Sequence, residues 1–188
     1  YVFNKKLRFY IEKLLFPITS KIKLSPNIIS LLAFVAMAYA AMLIIRQNLV
    51  WACFWILISG FLDLLDGAVA RAQSNATELG AFLDRVIDRA SDFVLLASII
   101  ISMEVSAALG LYVLFVVILS SFISAYLEKA TASNIGQQIS LRGVRLLVIA
   151  VGCLTMHIGV SMILLACIGT FSVCTRLYIA FKTLKSTP

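Results

Sequence analysis

Charged residues are scarce in this chain of 188 residues. Only 13% are Asp, Glu, Lys or Arg, about half the share of a typical soluble domain. The four cysteines form no Cys-x-x-Cys pair, so their pattern indicates neither a metal site nor a redox site. In contrast, 62% of the residues are hydrophobic, more than a soluble domain of this size could bury. The composition therefore predicts a single integral membrane domain over residues 1–188.

Alternation of apolar and polar residues, the pattern of a membrane β-barrel, is missing over any useful length. Apolar runs near the roughly 20 residues that cross a bilayer as a helix recur instead. We therefore predict an all-α fold, an integral membrane bundle of six transmembrane helices over 25–188. The fifth span is short, and its boundary with the sixth is the least defined. The predicted spans are 28–46, 49–71, 80–102, 106–128, 142–157 and 159–181.

The first 24 residues have the pattern of a helix that lies on the membrane surface. Apolar residues recur at helical spacing over 3–19, and most of the lysine and arginine residues fall elsewhere around the helix. Such a helix rests in the head-group plane with its cations toward anionic lipid. We therefore predict an interfacial amphipathic helix within 1–24. The chain then restarts at 25–27, Ser-Pro-Asn, which suits a helix cap and a first turn.

The net charge of +7 lies between the apolar runs rather than on one soluble face. If the N-terminus is cytoplasmic, all but one of the 16 basic residues fall on the cytoplasmic side, and the exception is Arg46. We expect a multi-pass cell-membrane protein with both termini and the active site on the cytoplasmic side. Anionic lipid and phosphate substrates suit this charge distribution better than nucleic acid, which we do not expect as a partner.

Six of the nine acidic residues fall between positions 63 and 92. Asp63 and Asp66 are three residues apart, and Asp84 and Asp88 are four apart, so each pair shares one face of a helix. A short turn would bring the two pairs together, and four neighbouring carboxylates could not all ionise alone. Oxygen ligands without His or Cys predict a hard divalent cation, Mg²⁺ or Mn²⁺.

The residues between these two pairs indicate a diphosphate substrate. Gly67 directly follows the first pair, and Gly80 lies one turn before the second. Both glycines leave room for a ligand beside the backbone. Arg71 is placed to clamp phosphate oxygens.

The chain resembles the CDP-alcohol phosphotransferases, because it fills all eight fixed positions of their signature. The resemblance extends to the six spans, the amphipathic N-terminal segment and the Ser25-Pro26-Asn27-x2-Ser30 sequence before span one, and so covers essentially the whole chain. The signature in this chain is Asp63-x2-Asp66-Gly67-x2-Ala70-Arg71-x8-Gly80-x3-Asp84-x3-Asp88.

The resemblance implies a metal pair, Mg²⁺ or Mn²⁺, held by Asp63, Asp66 and Asp84 with help from Asp88. It implies that Asp88 is also the catalytic general base. The reaction implied is the transfer of a phosphatidyl-type group from a CDP-linked lipid to a hydroxyl acceptor, with release of CMP, by a homodimeric enzyme of phospholipid biosynthesis. The implied contacts of the cytidine diphosphate are Asp63, Gly67, Arg71 and Gly80.

The acceptor is suggested by a likeness to the inositol phosphate subgroup, the archaetidylinositol phosphate and phosphatidylinositol phosphate synthases. The stretch 80–92 and the pair Arg142 and Arg145 are similar to that subgroup, and Lys129 is a further candidate to bind a phosphorylated polyol. Where that subgroup has acidic residues around the arginine pair, this chain has Leu141 and Val144 instead. Alternatives with the same chemistry are glycerol phosphate or serine as the acceptor, or a soluble CDP-alcohol as the donor. The positive charge expected at cytoplasmic helix ends could by itself explain both arginines.

Two other classes of function compete with this interpretation. Acidic residues inside a membrane often mark an ion or proton transporter. In a transporter, however, the acidic residues would be distributed along a path, whereas most of them are clustered in this chain. A non-catalytic assembly protein would not need a filled metal and nucleotide signature. Asp92 has two interpretations, support of the metal site or an ion pair with Arg89, and we favour the ion pair.

Overall fold

The computed structural model describes residues 25–72, 78–131 and 141–185, and all regular structure within these ranges is helical. Each predicted apolar run matches a helix to within a few residues. The predicted interfacial helix within 1–24 lies outside the described residues. The helices are α1 (Pro26–Ile45), α2 (Leu49–Ala72), α3 (Glu78–Ile101), α4 (Ala107–Thr131), α5 (Leu141–Leu154) and α6 (Ile158–Lys185).

Four of these helices are long and apolar enough to cross a bilayer. They contribute the segments Pro26–Ile45, Leu49–Ala70, Ala107–Leu127 and Ile158–Lys182. Helix α5 has only 14 residues, about 21 Å of rise, which is shorter than a hydrocarbon core of about 30 Å. Helix α3 is long enough, but it carries six charged residues between positions 78 and 92. Length and composition alone therefore support four of the six predicted spans.

The first compact unit, within residues 1–98, contains the helical hairpin of α1 and α2. Gln47, in the turn between the two helices, has a φ of 60° and ends α1 in the left-handed conformation. The Ser59 hydroxyl on α2 is fully buried and donates to the Ala33 carbonyl of α1 at 2.8 Å. One end of the hairpin is held by a buried apolar cluster of Ile29, Leu65, Ala68 and Val69.

The second compact unit, within residues 99–188, is built on α6, which packs against both α4 and α5. The hydroxyl oxygens of Tyr112 on α4 and Thr170 on α6 are 2.7 Å apart. A Cβ atom on Gly169 would collide with the side chain of Val116, so the glycine permits close approach of the two helices. Helix pairs in membranes commonly use small residues in this way.

Large apolar side chains remain exposed along most of the helices. Phe171 and Phe181 on α6 are 73% and 74% exposed, and Phe115 on α4 is 60% exposed. So many exposed large apolar side chains are unusual in a soluble monomer, whereas lipid chains would cover them without a free-energy cost. The outer faces of these helices are thus those of a multi-pass membrane protein.

Candidate active site

Three carboxylates from two helices meet in the first unit. Asp63 and Asp66 share one face of α2, and Asp84 comes from the second turn of α3. One carboxylate oxygen from each residue lies within 4.8 Å of the other two. Asp66 is four residues, or about 6 Å, from the end of its membrane-spanning segment, so the group sits near one rim of that segment.

The three carboxylates of this group differ in exposure. Asp66 is only 5% exposed, whereas Asp63 and Asp84 are half-buried and open to a ligand. The hydroxyl of Ser30, on α1, donates to Asp66 Oδ2 at 2.6 Å. The Ser-Pro-Asn-x2-Ser sequence pointed to Ser30 as part of the family resemblance, but it did not indicate what this serine contacts.

The close approach of these carboxylates requires a compensating positive charge. Two like charges about 4–5 Å apart repel by about 3–4 kcal/mol even at an effective dielectric constant of 20. Three carboxylate oxygens at this spacing, without His or Cys in the group, match the ligands that Mg²⁺ and Mn²⁺ prefer. The residues present therefore fit a hard divalent cation.

Asp88 lies one turn beyond Asp84 on α3 and is half-buried, but it is outside the group of three. Asp92, a further turn along, is 3% exposed, and its Oδ2 atom is 3.4 Å from Arg89 Nη1. The favoured interpretation of Asp92, an ion pair with Arg89, agrees with this contact. The assignment of Asp88 as general base and supporting metal ligand stays a prediction.

The predicted nucleotide contacts Gly67, Arg71 and Gly80 lie between Asp66 and Asp84 in the chain. Gly67 and Gly80 are half-buried, so neither backbone is sealed from a ligand. Arg71 belongs to the last turn of α2, but its side chain lies outside the described part of the structure. The contacts of Gly67, Gly80 and Arg71 with the cytidine diphosphate stay predictions.

The two predicted acceptor arginines are buried at the start of α5. Arg142 is 6% exposed and Arg145 is 8% exposed, and their spacing of three places both on the inward face of the helix. Basic residues that serve only as topological signals extend toward water. Burial of both guanidinium groups therefore favours a role inside the protein over the topological explanation.

A small cavity of about 30 Å³ lies among α4, α5 and α6, with Ser120 and Arg145 as its polar lining. Arg176 on α6, which sequence reasoning counted only among the cytoplasmic charges, donates from Nη1 to the Ser120 carbonyl at 2.8 Å. Arg176 therefore contacts a serine that lines the same cavity as Arg145. The side chain of Lys129, the third predicted acceptor contact, lies outside the described residues.

Comparison with known proteins identifies the class. Residues 23–178 match the family model of the CDP-alcohol phosphatidyltransferases, which covers most of the chain. The chain therefore belongs to this family, and it is an enzyme that transfers substituted phosphate groups. The metal-compatible carboxylate group lies inside the matched region.

Relatives with assigned names point to one branch of the family. The chain is 29% identical over 166 residues to an archaetidylinositol phosphate synthase from Pyrococcus horikoshii, with 86% of each chain covered. It is also 29% identical over 185 residues to the enzyme of that name from Methanothermobacter thermautotrophicus, covering 93% of this chain and 92% of the relative. A phosphatidylinositol phosphate synthase from Corynebacterium glutamicum is 31% identical over 176 residues, covering 87% and 80%.

Solved structures share the fold. The phosphatidylinositol phosphate synthase of Mycobacterium tuberculosis in its apo form superposes with a TM-score of 0.73 at 23% identity, covering 91% of this chain and 94% of that one. Its complex with CDP-DAG gives a TM-score of 0.72 at 23% identity and covers 92% of each chain. A third structure of that protein contains manganese and citrate and gives a TM-score of 0.73 at 24% identity, covering 91% and 87%.

Proposed function

We propose that this enzyme transfers a phosphatidyl-type group from a CDP-linked lipid to a hydroxyl of inositol phosphate, releasing CMP. The observation that carries the proposal is the group of three carboxylates, Asp63, Asp66 and Asp84, inside a complete family signature. The names of the archaeal and bacterial relatives support the inositol phosphate acceptor, and the CDP-DAG complex of the M. tuberculosis protein supports the CDP-linked donor. The proposal covers both ester and ether lipid donors.

The metal would be Mg²⁺ or Mn²⁺, and we propose two ions, held by Asp63, Asp66 and Asp84 with help from Asp88. When bound, such ions neutralise the diphosphate and the charge that develops on the departing phosphate. The manganese complex of the M. tuberculosis protein supports a divalent cation. The arrangement of carboxylates in two pairs, near the rim of α2, supports their use by a substrate whose diphosphate lies at the membrane surface.

The chemical step requires one proton acceptor and a set of positioning contacts. Asp88 would take the proton from the acceptor hydroxyl, and the resulting oxygen forms a bond to the phosphorus that carries the lipid. The bond from that phosphorus to CMP then breaks. Gly67, Gly80 and Arg71 would hold the cytidine diphosphate so that the two oxygens stand on opposite sides of the phosphorus.

An acceptor that carries its own phosphate needs cations of its own. Arg142 and Arg145 are buried on one face of α5, and Arg176 meets Ser120, the serine that lines the cavity beside Arg145. Guanidinium groups bind phosphate through paired hydrogen bonds. We therefore assign the acceptor phosphate to Arg142 and Arg145, with Lys129 as a third proposed contact.

Removal of either acceptor arginine is expected to raise the KM for inositol phosphate by about 10- to 100-fold, since hydrogen bonds to charged groups contribute about 1.5–3 kcal/mol. The KM for the CDP-linked lipid should stay close to the wild-type value. The variants are Arg142→Ala and Arg145→Ala, measured by CMP release with each substrate varied in turn. Arg46→Ala, an exposed arginine in the turn after α1, is the control. Equal increases in both KM values would argue against an acceptor role.

The acceptor itself is tested by CMP release from one CDP-linked lipid in the presence of Mg²⁺ or Mn²⁺. Inositol phosphate should support turnover far better than glycerol phosphate, serine or free inositol, and a chelator should stop it. Faster CMP release with glycerol phosphate or serine than with inositol phosphate would reassign the acceptor within the family. Loss of CMP release under every condition would contradict the proposed CDP-linked lipid donor.

The membrane arrangement belongs to the same proposal. We infer a single domain over 1–188 with six spans, an interfacial helix within 1–24, and both termini and the active site in the cytoplasm. The asymmetry of the basic residues supports this orientation, since only Arg46 falls on the opposite side. A homodimer is proposed from the family resemblance.

A further inference from the structure

A buried serine on α1 connects that helix to the carboxylate group. Ser30 is 6% exposed, and its hydroxyl donates to Asp66 Oδ2 at 2.6 Å across 36 residues of sequence. The same hydroxyl oxygen is 3.2 Å from the carbonyl oxygen of Pro26, in the first turn of the helix. Ser30 therefore lies between the start of α1 and the most buried of the three carboxylates.

The surroundings strengthen this contact. Residues that neighbour Ser30 and Asp66 in the chain, Ile29 and Leu65, belong to one buried apolar cluster with Ala68 and Val69. Such a cluster excludes water, and a hydrogen bond to an ionised group is stronger where the local dielectric constant is low. Both residues of this hydrogen bond are thus shielded from bulk solvent.

The contact matters because rotation of an aspartate carboxylate about its last torsion is otherwise broad. A hydrogen bond to one oxygen limits that rotation, so the other oxygen keeps one direction toward a ligand. Groups that hold metal ligands in this way commonly contribute about 10- to 100-fold to metal affinity or activity.

We propose that Ser30 is a positioning residue of the divalent-cation site, which fixes the Asp66 carboxylate for metal binding and connects the first turn of α1 to that site. This inference rests on the proposed function, because it assumes that Asp66 is a metal ligand. In this role Ser30 contacts Asp66 and acts on the metal through that carboxylate. Its effect on catalysis therefore arises through the orientation of Asp66.

The chain provides a matched control for the loss of a buried serine hydrogen bond. Ser59 on α2 is as deeply buried as Ser30 and also links α1 to α2, through the Ala33 carbonyl at 2.8 Å. It contacts a backbone carbonyl rather than a carboxylate. A purely structural role for Ser30 would therefore make Ser30→Ala and Ser59→Ala equivalent in every measurement.

The test is a titration of the full chain, in lipid nanodiscs and without substrate, with Mn²⁺. The electron paramagnetic resonance signal of free Mn²⁺ measures how much of the metal is bound. Ser30→Ala should weaken Mn²⁺ binding by about 10- to 100-fold, and Ser59→Ala should leave it unchanged. Thermal unfolding should shift by similar amounts in both variants. Threonine and valine have nearly the same shape and differ in the hydroxyl, so Ser30→Thr and Ser30→Val isolate its effect. Ser30→Thr should retain the Mn²⁺ affinity, and Ser30→Val should lose it.

Three results would overturn the inference. One is unchanged Mn²⁺ affinity in Ser30→Val, and another is an equal loss in Ser59→Ala. The third is failure of the wild-type chain to bind Mn²⁺, which would remove the proposed function as well. Binding that Asp66→Asn removes and Ser30→Val leaves intact would overturn the role of Ser30 alone.

Discussion

Replacement of Asp66 by asparagine is expected to abolish most Mn²⁺ binding and to lower turnover by at least about 10²-fold. Asparagine keeps the shape and one oxygen of the side chain but lacks the charge that a hard cation needs. A bound metal contributes several kcal/mol to transition-state stabilisation, and each 1.4 kcal/mol is about tenfold in rate. Metal titration without substrate and CMP release with both substrates measure the two effects separately.

Asp92→Asn is the matched control for this experiment. Asp92 is as buried as Asp66, but it pairs with Arg89 and lies outside the group of three carboxylates. Loss of its charge should lower the thermal stability, because the ion pair with the exposed Arg89 is lost, and should leave the Mn²⁺ affinity near the wild-type value. Equal loss of Mn²⁺ binding in the two variants would show that the site is not confined to the three carboxylates.

Asp88→Asn is expected to lower turnover by about 10²- to 10⁴-fold, the usual contribution of a general base. Binding of the CDP-linked donor should change little, because Asp88 lies outside the three-carboxylate group. Donor binding is measured by equilibrium titration and turnover by CMP release. Glu78→Gln, an exposed acid at the start of the same helix, controls for the loss of one negative charge.

Two outcomes would change the assignment of Asp88. Undiminished turnover in Asp88→Asn would refute its role as the base. A loss of Mn²⁺ affinity as large as that of Asp66→Asn would instead make Asp88 a primary metal ligand, although the oxygens that approach within 4.8 Å come from Asp63, Asp66 and Asp84.

The helices and the meeting of three of the four predicted carboxylates could be predicted because both depend on short sequence distances. Spacings of three and four residues determine which side chains share a helix face, and the short connection between α2 and α3 limits where Asp84 can lie. The apolar runs located all six helices for the same reason. The same runs predicted that the fifth helix is short, and α5 has 14 residues.

The contacts between distant segments could not be predicted. The bond from Ser30 to Asp66 spans 36 residues and depends on the register of α1 against α2, which the buried cluster around Val69 determines. The burial of Arg142 and Arg145 depends in the same way on how α5 packs. A hydrophobicity pattern gives the face of a helix but not its axial shift against a neighbour. Arg176 was therefore missed as a contact of Ser120.

The carboxylates also bear on the competing classes of function. A proton or ion pathway would need acids spread through the depth of the membrane. Asp63 and Asp66 instead lie within the last third of the span Leu49–Ala70, and Asp84 joins them from the start of α3. A concentrated acidic group at one rim suits a soluble phosphate acceptor that meets a lipid donor at the membrane surface.

Crystals grown with Mn²⁺ and a CDP-linked lipid, measured near the manganese absorption edge, test the central claim most directly. The expected result is an anomalous peak at about 2.1 Å from carboxylate oxygens of Asp63, Asp66 and Asp84, beside the diphosphate of the donor. Should Mn²⁺ support turnover in solution while the peak appears away from these three side chains, the account of how this chain performs its chemistry is wrong.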